Sequence, residues 1–306
     1  MSSNTAAGSL HPSQPPSHKS SAPPRDDQAG SALAALEPST PTPVHPQGPI
    51  IAVDLDDVLS QTNAYIAEWH NEHYGSNMTL DDFHYYHYWK NPYWGTPEET
   101  NEKVKKFYAT SAILNTQPVP GALEGTKRLK ELGYRLIIVT ARVRNQLEPS
   151  WRWLEEHFPG VIESVICIGQ FEETVEDEGH EIVTKLTKAE VCRSLHATLL
   201  IDDSLDNALS VSAPASPPDH THKAIPVLLF GDYPWNRRPS HVASPQDYLS
   251  FAQRSQLGGN RGREWWRDED VDLDEVNAEK ERGRGGRIRR VRGWEEVVAW
   301  VEENKP

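Results

Sequence analysis

Five short apolar runs, joined largely by helical segments, constrain this chain more than any other feature. They are "IIAVD" (50–54), "YRLIIVT" (134–140), "IESVICIG" (162–169), "ATLLIDD" (197–203) and "AIPVLLFG" (224–231). Runs of four to eight residues without polar alternation read as strands buried on both faces. Between them, "GALEGTKRLKELG" is an amphipathic helix closed by Gly133, "QLEPSWRWLEEHFPG" a helix with Pro149 in its first turn, and "TKAEVCRSLH" a helix capped by Thr187. Strands separated by helices imply right-handed crossovers and a mostly parallel α/β sheet of Rossmann type.

In such a sheet the ligand lies beyond the carboxyl ends of the strands. Three strands here deliver polar groups to that edge. The first ends in Asp54, Leu55, Asp56, Asp57, the second in Thr140, the fourth in Asp202 and Asp203. Carboxylates this crowded repel one another and raise each other's pKa, so a divalent cation is their natural counter-charge. Asp54 and Asp56, two apart on an extended backbone, share a side. One can coordinate a metal and attack an electrophile while the other moves a proton. Asp202 and Asp203 could complete an oxygen shell suited to Mg²⁺. Thr140 offers a hydroxyl, and the amides of Ala141 and Arg142 follow it, a set suited to phosphate oxygens. Lys188 opens the helix before the fourth strand and could neutralise both nucleophile and phosphate.

This set resembles the haloacid dehalogenase-like superfamily of phosphohydrolases. Its four motifs stand in order as "IIAVDLDDVL", "LIIVTAR", Lys188 in "TKAEVC" (with Lys185 the second claimant) and "LLIDDSLDNA", covering residues 50–207. The resemblance implies that Asp54 is a nucleophile forming an aspartyl-phosphate and that Asp56 is first the general acid, then the base that activates water. It implies that Thr140 and Lys188 hold the phosphate. Asp54, the backbone carbonyl of Asp56, and Asp203 or Asp202 would hold Mg²⁺. Asp57 stands where relatives often carry glycine, and is expected to solvate the site or help a turn. Arg142 is left with two readings, a phosphate ligand or a partner for an acidic neighbour.

Residues 60–118 occupy the place where this superfamily inserts a helical cap. "TNAYIAEWHNEHYG" and "TPEETNEKVKKFYATSAI" read as its helices, the first stopped by Gly75 and the second capped by Thr96 with Pro97 following. Between them "FHYYHYWKNPYW" (83–94) is dense in aromatics. A short cap with "VTAR" and "LLIDD" looks most like the 5′(3′)-deoxyribonucleotidase branch, in which cap aromatics stack on the nucleobase. Tyr85, Trp89 and Trp94 are the expected stacking residues, against a background in which most such rings form the cap's own core. His70, His73, His84 and His87 are expected to pack among aromatics or meet solvent rather than bind metal.

The expected organisation is a disordered Ser/Pro-rich tail over 1–46, a core over 47–59 and 119–233, the cap over 60–118, loops and a charged insertion over 234–292, and a helix over 293–306 that docks through Trp294, Val297, Val298, Trp300 and Val301. In the insertion nine acids (264–281) precede six arginines (282–292), expected to neutralise each other in solvent. The stretch "FGDYPWNRR" (230–238) either lines the site or covers the sheet edge. A net charge of −14 disfavours nucleic acid and anionic membrane as partners, and no apolar run approaches the ~20 residues of a membrane span. Cys167 and Cys192 are two isolated thiols, expected buried and free in a reducing, cytoplasmic setting, with the nucleus left open.

The expected activity is thus a Mg²⁺-dependent phosphatase acting on a small phosphomonoester, a nucleoside monophosphate first among them. A sugar phosphate, a polynucleotide end, and a non-catalytic interaction protein on the same fold are the alternatives.

Overall fold

The computed structural model describes residues 48–169, 186–214, 224–257, 264–283 and 285–305. The tail over 1–46, the acidic connector 171–181 and Lys185 lie outside the described residues.

The elements are β1 (Ile50–Val53), α1 (Thr62–Tyr74), α2 (Pro97–Tyr108), α3 (Ala122–Glu131), β2 (Arg135–Thr140), α4 (Leu147–His157), β3 (Ser164–Cys167), α5 (Lys188–Ser194), β4 (Leu199–Asp202), α6 (Leu205–Val211), β5 (Val227–Phe230), α7 (Phe251–Leu257), α8 (Leu273–Gly283), β6 (Ile288–Val291) and α9 (Trp294–Glu303). Among the described residues six strands form one parallel sheet, in the order β3-β2-β1-β4-β5-β6. β1 lies central, with Ile51 facing Leu136 on one side and Leu199 on the other.

Strand alternation divides the core into two layers. Ile51, Val53, Leu136, Ile138, Leu199 and Ile201 pack with Leu129, Trp153, Trp294 and Val297. Ala52, Ile137, Val139 and Leu200 pack with Val191, Cys192, Leu205 and Ala208. Helices therefore cover both faces, as unbroken apolar strands require. A third cluster joins Ile66, Trp69, Phe83, Trp94 and Phe107 from the segment between β1 and β2, and takes in Trp235 from beyond β5. The expected start and stop signals form: Gly75 adopts φ 64°, and Thr96 caps α2 by accepting from the Glu99 amide while Glu99 returns a bond to the Thr96 amide.

Two expectations over 234–292 need correction. The arginine run contains a strand. In β6, Ile288 and Val291 are buried, one in each layer, while Arg289 between them is exposed. Two apolar residues three apart match no strand period, so the pattern hid β6. Asn277 of α8 secures it, its side chain bonding both the amide (2.9 Å) and the carbonyl (2.8 Å) of Ile288. Nor do the acidic and basic runs simply face each other in solvent. Trp265 is buried, Glu269 accepts from Arg254 and Tyr85, and Asp270 accepts from Arg238. Of the thiols, both free, Cys192 is buried and Cys167 half-buried. Among the described residues no helix is long and apolar enough to cross a membrane.

The docking of α9 rests on a close approach at Gly125 of α3, where a Cβ would lie 2.6 Å from Cε3 of Trp294. Trp294 is buried and its indole donates to the Val58 carbonyl at 2.9 Å, so the ring cannot shift freely. Gly125→Ala is expected to destabilise the protein by ~1–3 kcal/mol through overpacking, read as a lower urea midpoint. An unchanged midpoint would mean that α9 docks loosely.

Candidate active site

The loop after β1 carries most of the chemistry. Asp54 follows the strand directly, and its amide still bonds the Ile201 carbonyl of β4 at 2.9 Å, so the sheet itself sets its position. Its carboxylate is 2 % exposed. Oδ1 accepts from the Leu55 amide (2.8 Å) and pairs with Lys188 Nζ (2.9 Å), which leaves Oδ2 outside these bonds. Lys188 also donates to Asp202 Oδ2 at 2.6 Å. It is the first residue of α5, held in place by a capping box between Thr187 and Glu190. Burial, with Asp202 and Asp56 adding like charge, lifts the Asp54 carboxyl to about 7 despite Lys188.

Asp202 is fully engaged. Oδ1 accepts from the Ser204 amide (2.9 Å) and Asn207 Nδ2 (3.1 Å), and Oδ2 from Lys188. Asp203 is not. Oδ2 accepts from the indole of Trp235 at 2.7 Å, while buried Oδ1 has no partner. Burial, then the charges of Asp54, Asp202 and Asp57, push its carboxyl well above the usual range. Asp54, Asp202 and Asp203 each bring an oxygen within 4.8 Å of the others. An all-oxygen donor set, an orphaned buried oxygen and carboxylate repulsion that Lys188 relieves only in part together fit a hard divalent cation.

Asp56 stands apart from that group. Arg142 grips it twice, Nε to Oδ2 at 3.1 Å and Nη2 to Oδ1 at 2.6 Å, and Thr62 donates to Oδ1 at 2.5 Å. Burial would raise its carboxyl, but the Arg142 charge and these bonds win and hold it below the usual range. Of the two readings of Arg142, the structure therefore shows the acidic neighbour. Ser150 supports the guanidinium from behind at 2.9 Å. Buried Thr140 ends β2, its hydroxyl facing the Arg142 amide at 3.3 Å, and Ala141 between them is buried too. Asp57 helps a turn. It takes φ 56°, a glycine-like conformation, and its buried carboxylate accepts from the Asn63 amide at 3.0 Å, anchoring the start of α1.

The three aromatics expected to stack on a base are committed elsewhere. Tyr85 is 1 % exposed, with the guanidinium carbons of Arg238 and Arg254 5.5 and 4.6 Å from its ring centroid and its hydroxyl donating to Glu269. Trp89 stacks on His87 and donates to the Asp247 carbonyl. Trp94 is 1 % exposed, stacked on Tyr88 at 4.3 Å. Residues in "FHYYHYW" cannot be assigned a side without the fold, because the stretch is irregular apart from a single 3₁₀ turn that begins at Tyr88. Tyr86, Tyr88 and Tyr108 lie within range of the carboxylate charges, as Tyr233 does. Burial, joined by the charges of Asp56 and its acidic neighbours, raises the first three phenols, so each stays a neutral donor. The four histidines pack as expected: His73 on Trp69, His84 on Trp266, His87 on Trp89 and His70 near Trp94.

Trp235 and Tyr233, within "FGDYPWNRR", are the neighbours that sequence left undecided between lining the site and covering the sheet. They line it, Trp235 through Asp203 and Tyr233 through a 2.9 Å bond to the Asp57 carbonyl. Aromatics just beyond a strand that itself carries no acid gave no stronger signal.

Residues 48–179 match a family model described as "5' nucleotidase, deoxy (Pyrimidine), cytosolic type C protein". No curated protein matches the chain. Among solved structures, a predicted phosphatase from Clostridium acetobutylicum is similar at 11% identity and TM-score 0.46, over 84% of this chain and 99% of that one. A HAD family hydrolase from Deinococcus radiodurans, with bound phosphate and sodium, is similar at 16% identity and TM-score 0.39, over 70% of this chain and 96% of that one. L-2-haloacid dehalogenase from Xanthobacter autotrophicus is similar at 10% identity and TM-score 0.42, over 85% of this chain and 100% of that one. The family match covers the first two motifs, over less than half of the chain, and the fold brings Asp54, Thr140, Lys188 and the Asp202–Asp203 pair to one edge of the parallel sheet.

Proposed function

We propose that the chain hydrolyses a nucleoside monophosphate, or a closely similar small phosphomonoester, with Mg²⁺ and through an aspartyl-phosphate on Asp54. The carrying observation is the buried trio Asp54, Asp202 and Asp203, the first two paired with Lys188 and one oxygen of the third left without a partner.

In this reading Asp54, Asp203 and the Asp56 carbonyl would hold Mg²⁺, whose chemistry when bound would be to offset charge on the transferring phosphoryl group. Asp202 serves chiefly to hold Lys188, since both its oxygens already accept hydrogen bonds. Asp54 Oδ2 attacks phosphorus in line, the bond to the ester oxygen breaks, and that oxygen takes a proton from Asp56. A water then attacks the same phosphorus and gives its proton to Asp56, freeing inorganic phosphate and the Asp54 carboxylate. Thr140 and Lys188 stabilise the phosphoryl oxygens. The resting Arg142 pair keeps Asp56 ionised, the form needed for the water step, so protonation for the first step requires that grip to loosen as substrate enters. Residues 60–118 act as the cap. In this reading the organic part of the substrate is assigned to Tyr86, Tyr88 and Tyr108, whose phenols burial and the nearby carboxylate charges raise, ahead of Tyr85, Trp89 and Trp94.

The test is phosphate release from a panel of nucleoside monophosphates, sugar phosphates and 5′-phosphorylated oligonucleotides, with Mg²⁺ and with EDTA. The expected result is Mg²⁺-dependent release, fastest with a nucleoside monophosphate. Release that survives EDTA would overturn the metal, and a clear preference for a sugar phosphate would overturn the nucleotide.

A further inference from the structure

The segment after β5 reaches two loops of the site from one short turn. Gly231 takes φ 81°, and a single 3₁₀ turn over Pro234–Asn236 follows. Asn236 pins that turn to the end of β5, its side-chain amide donating to the carbonyls of Phe230 (2.9 Å) and Gly231 (3.0 Å). Arg290 of β6 holds Asn236 from the other side. The turn is thus fixed by two strands and presents Tyr233 and Trp235 as a parallel stack, centroids 4.2 Å apart and planes within 7°. Trp235 is 1 % exposed and also meets Phe83, from the segment between β1 and β2, edge-on at 6.1 Å.

We propose that Trp235 is a positioning residue for the divalent cation. Its indole N–H binds Asp203 Oδ2 and so reserves Oδ1 for the metal. The inference rests on the cation reading given above. An indole nitrogen only donates, so it fixes which carboxylate oxygen is occupied and which remains. The occupied one is bonded at 2.7 Å, and the remaining one is buried without a partner. With Oδ2 held by a rigid, packed donor, the orientation of the carboxylate is fixed and Oδ1, the oxygen without a partner, is the one it would offer to a cation. Partners of this kind orient metal ligands and typically set affinity by 10–100-fold.

The test is Mg²⁺ and Mn²⁺ binding to the full chain by calorimetry, in the wild type and in Trp235→Phe, which keeps an aromatic ring and loses the donor. The expected result is affinity weakened by roughly tenfold or more, with a smaller Mg²⁺-induced rise in melting temperature. A purely packing role would lower the melting temperature equally with Mg²⁺ and with EDTA and leave affinity unchanged, and that result would overturn the proposal. A wild type that binds neither ion would overturn the cation reading itself. If Trp235→Phe does not fold, ¹⁵N-labelled indoles in the wild type decide. The indole signal displaced by Asp203→Asn should also be the one that moves most on adding Mg²⁺, and a different signal moving would overturn the assignment.

Discussion

Asp54→Asn is expected to lower turnover by at least ~10³-fold while leaving the fold intact, because the amide cannot attack phosphorus. The stability half of this expectation comes from the surroundings. Asp54 is buried, pressed by Asp202 and Asp56, and its carboxyl is raised to about 7. An asparagine oxygen can still accept from the Leu55 amide and from Lys188, and it removes one charge from the cluster. Without metal, the variant should therefore melt no lower than the wild type. The two measurements are kcat at saturating Mg²⁺ and the melting temperature in EDTA. Substantial residual turnover would sink the covalent intermediate. A collapse in melting temperature would instead mean that the Asp54–Lys188 pair outweighs the repulsion.

Lys188→Met is expected to damage both stability and activity. The ammonium is 1 % exposed and bridges Asp54 at 2.9 Å and Asp202 at 2.6 Å. Removing it leaves two buried carboxylates facing each other with no counter-charge, a change that typically destabilises by ~3–5 kcal/mol. The pH dependence follows from the direction of the shifts. The Asp54 carboxyl is raised from 3.8 to about 7, so the stability linked to its proton is fully present below 3.8 and is lost as pH rises through 7. Losing Lys188 raises that carboxyl further. The deficit in unfolding free energy, measured in urea with EDTA, should therefore be larger at pH 8 than at pH 6. Saturating Mg²⁺ should restore part of it by supplying the missing charge. A deficit independent of pH would mean that the loss is one of packing and not of charge.

Arg142 shows how far sequence could go at one position. "VTAR" placed a guanidinium beside Thr140, and nothing in the run chose between phosphate and carboxylate as its target. The choice depends on β1 and β2 being neighbours in register, which sets the loop holding Asp56 opposite the end of β2. The aromatics between Phe83 and Trp94 resist assignment in a similar way but for a different reason. In β1, β2 and β4 a period of two assigns each side chain to a layer. The stretch from Phe83 to Trp94 has no such period, so Tyr85 and Tyr86 point to different partners without any pattern to say so. β6 escaped because its two buried residues are spaced by three, and its register exists only against β5.

What the sequence by itself determined is the parallel α/β core and the placing of Asp54, Thr140, Lys188 and the Asp202–Asp203 pair along one sheet edge. Local periodicity, caps at Thr96 and Thr187, and polar residues at strand ends suffice for that, because a parallel sheet puts all carboxyl ends together. What only the tertiary structure decided is which partner each polar group takes: Arg142 for Asp56, Lys188 for Asp54 and Asp202, Trp235 for Asp203. The physical reason is range. Helix and strand signals act over a few residues, whereas the bond between Trp235 and Asp203 joins positions 32 residues apart and exists only after β4, β5 and β6 have paired.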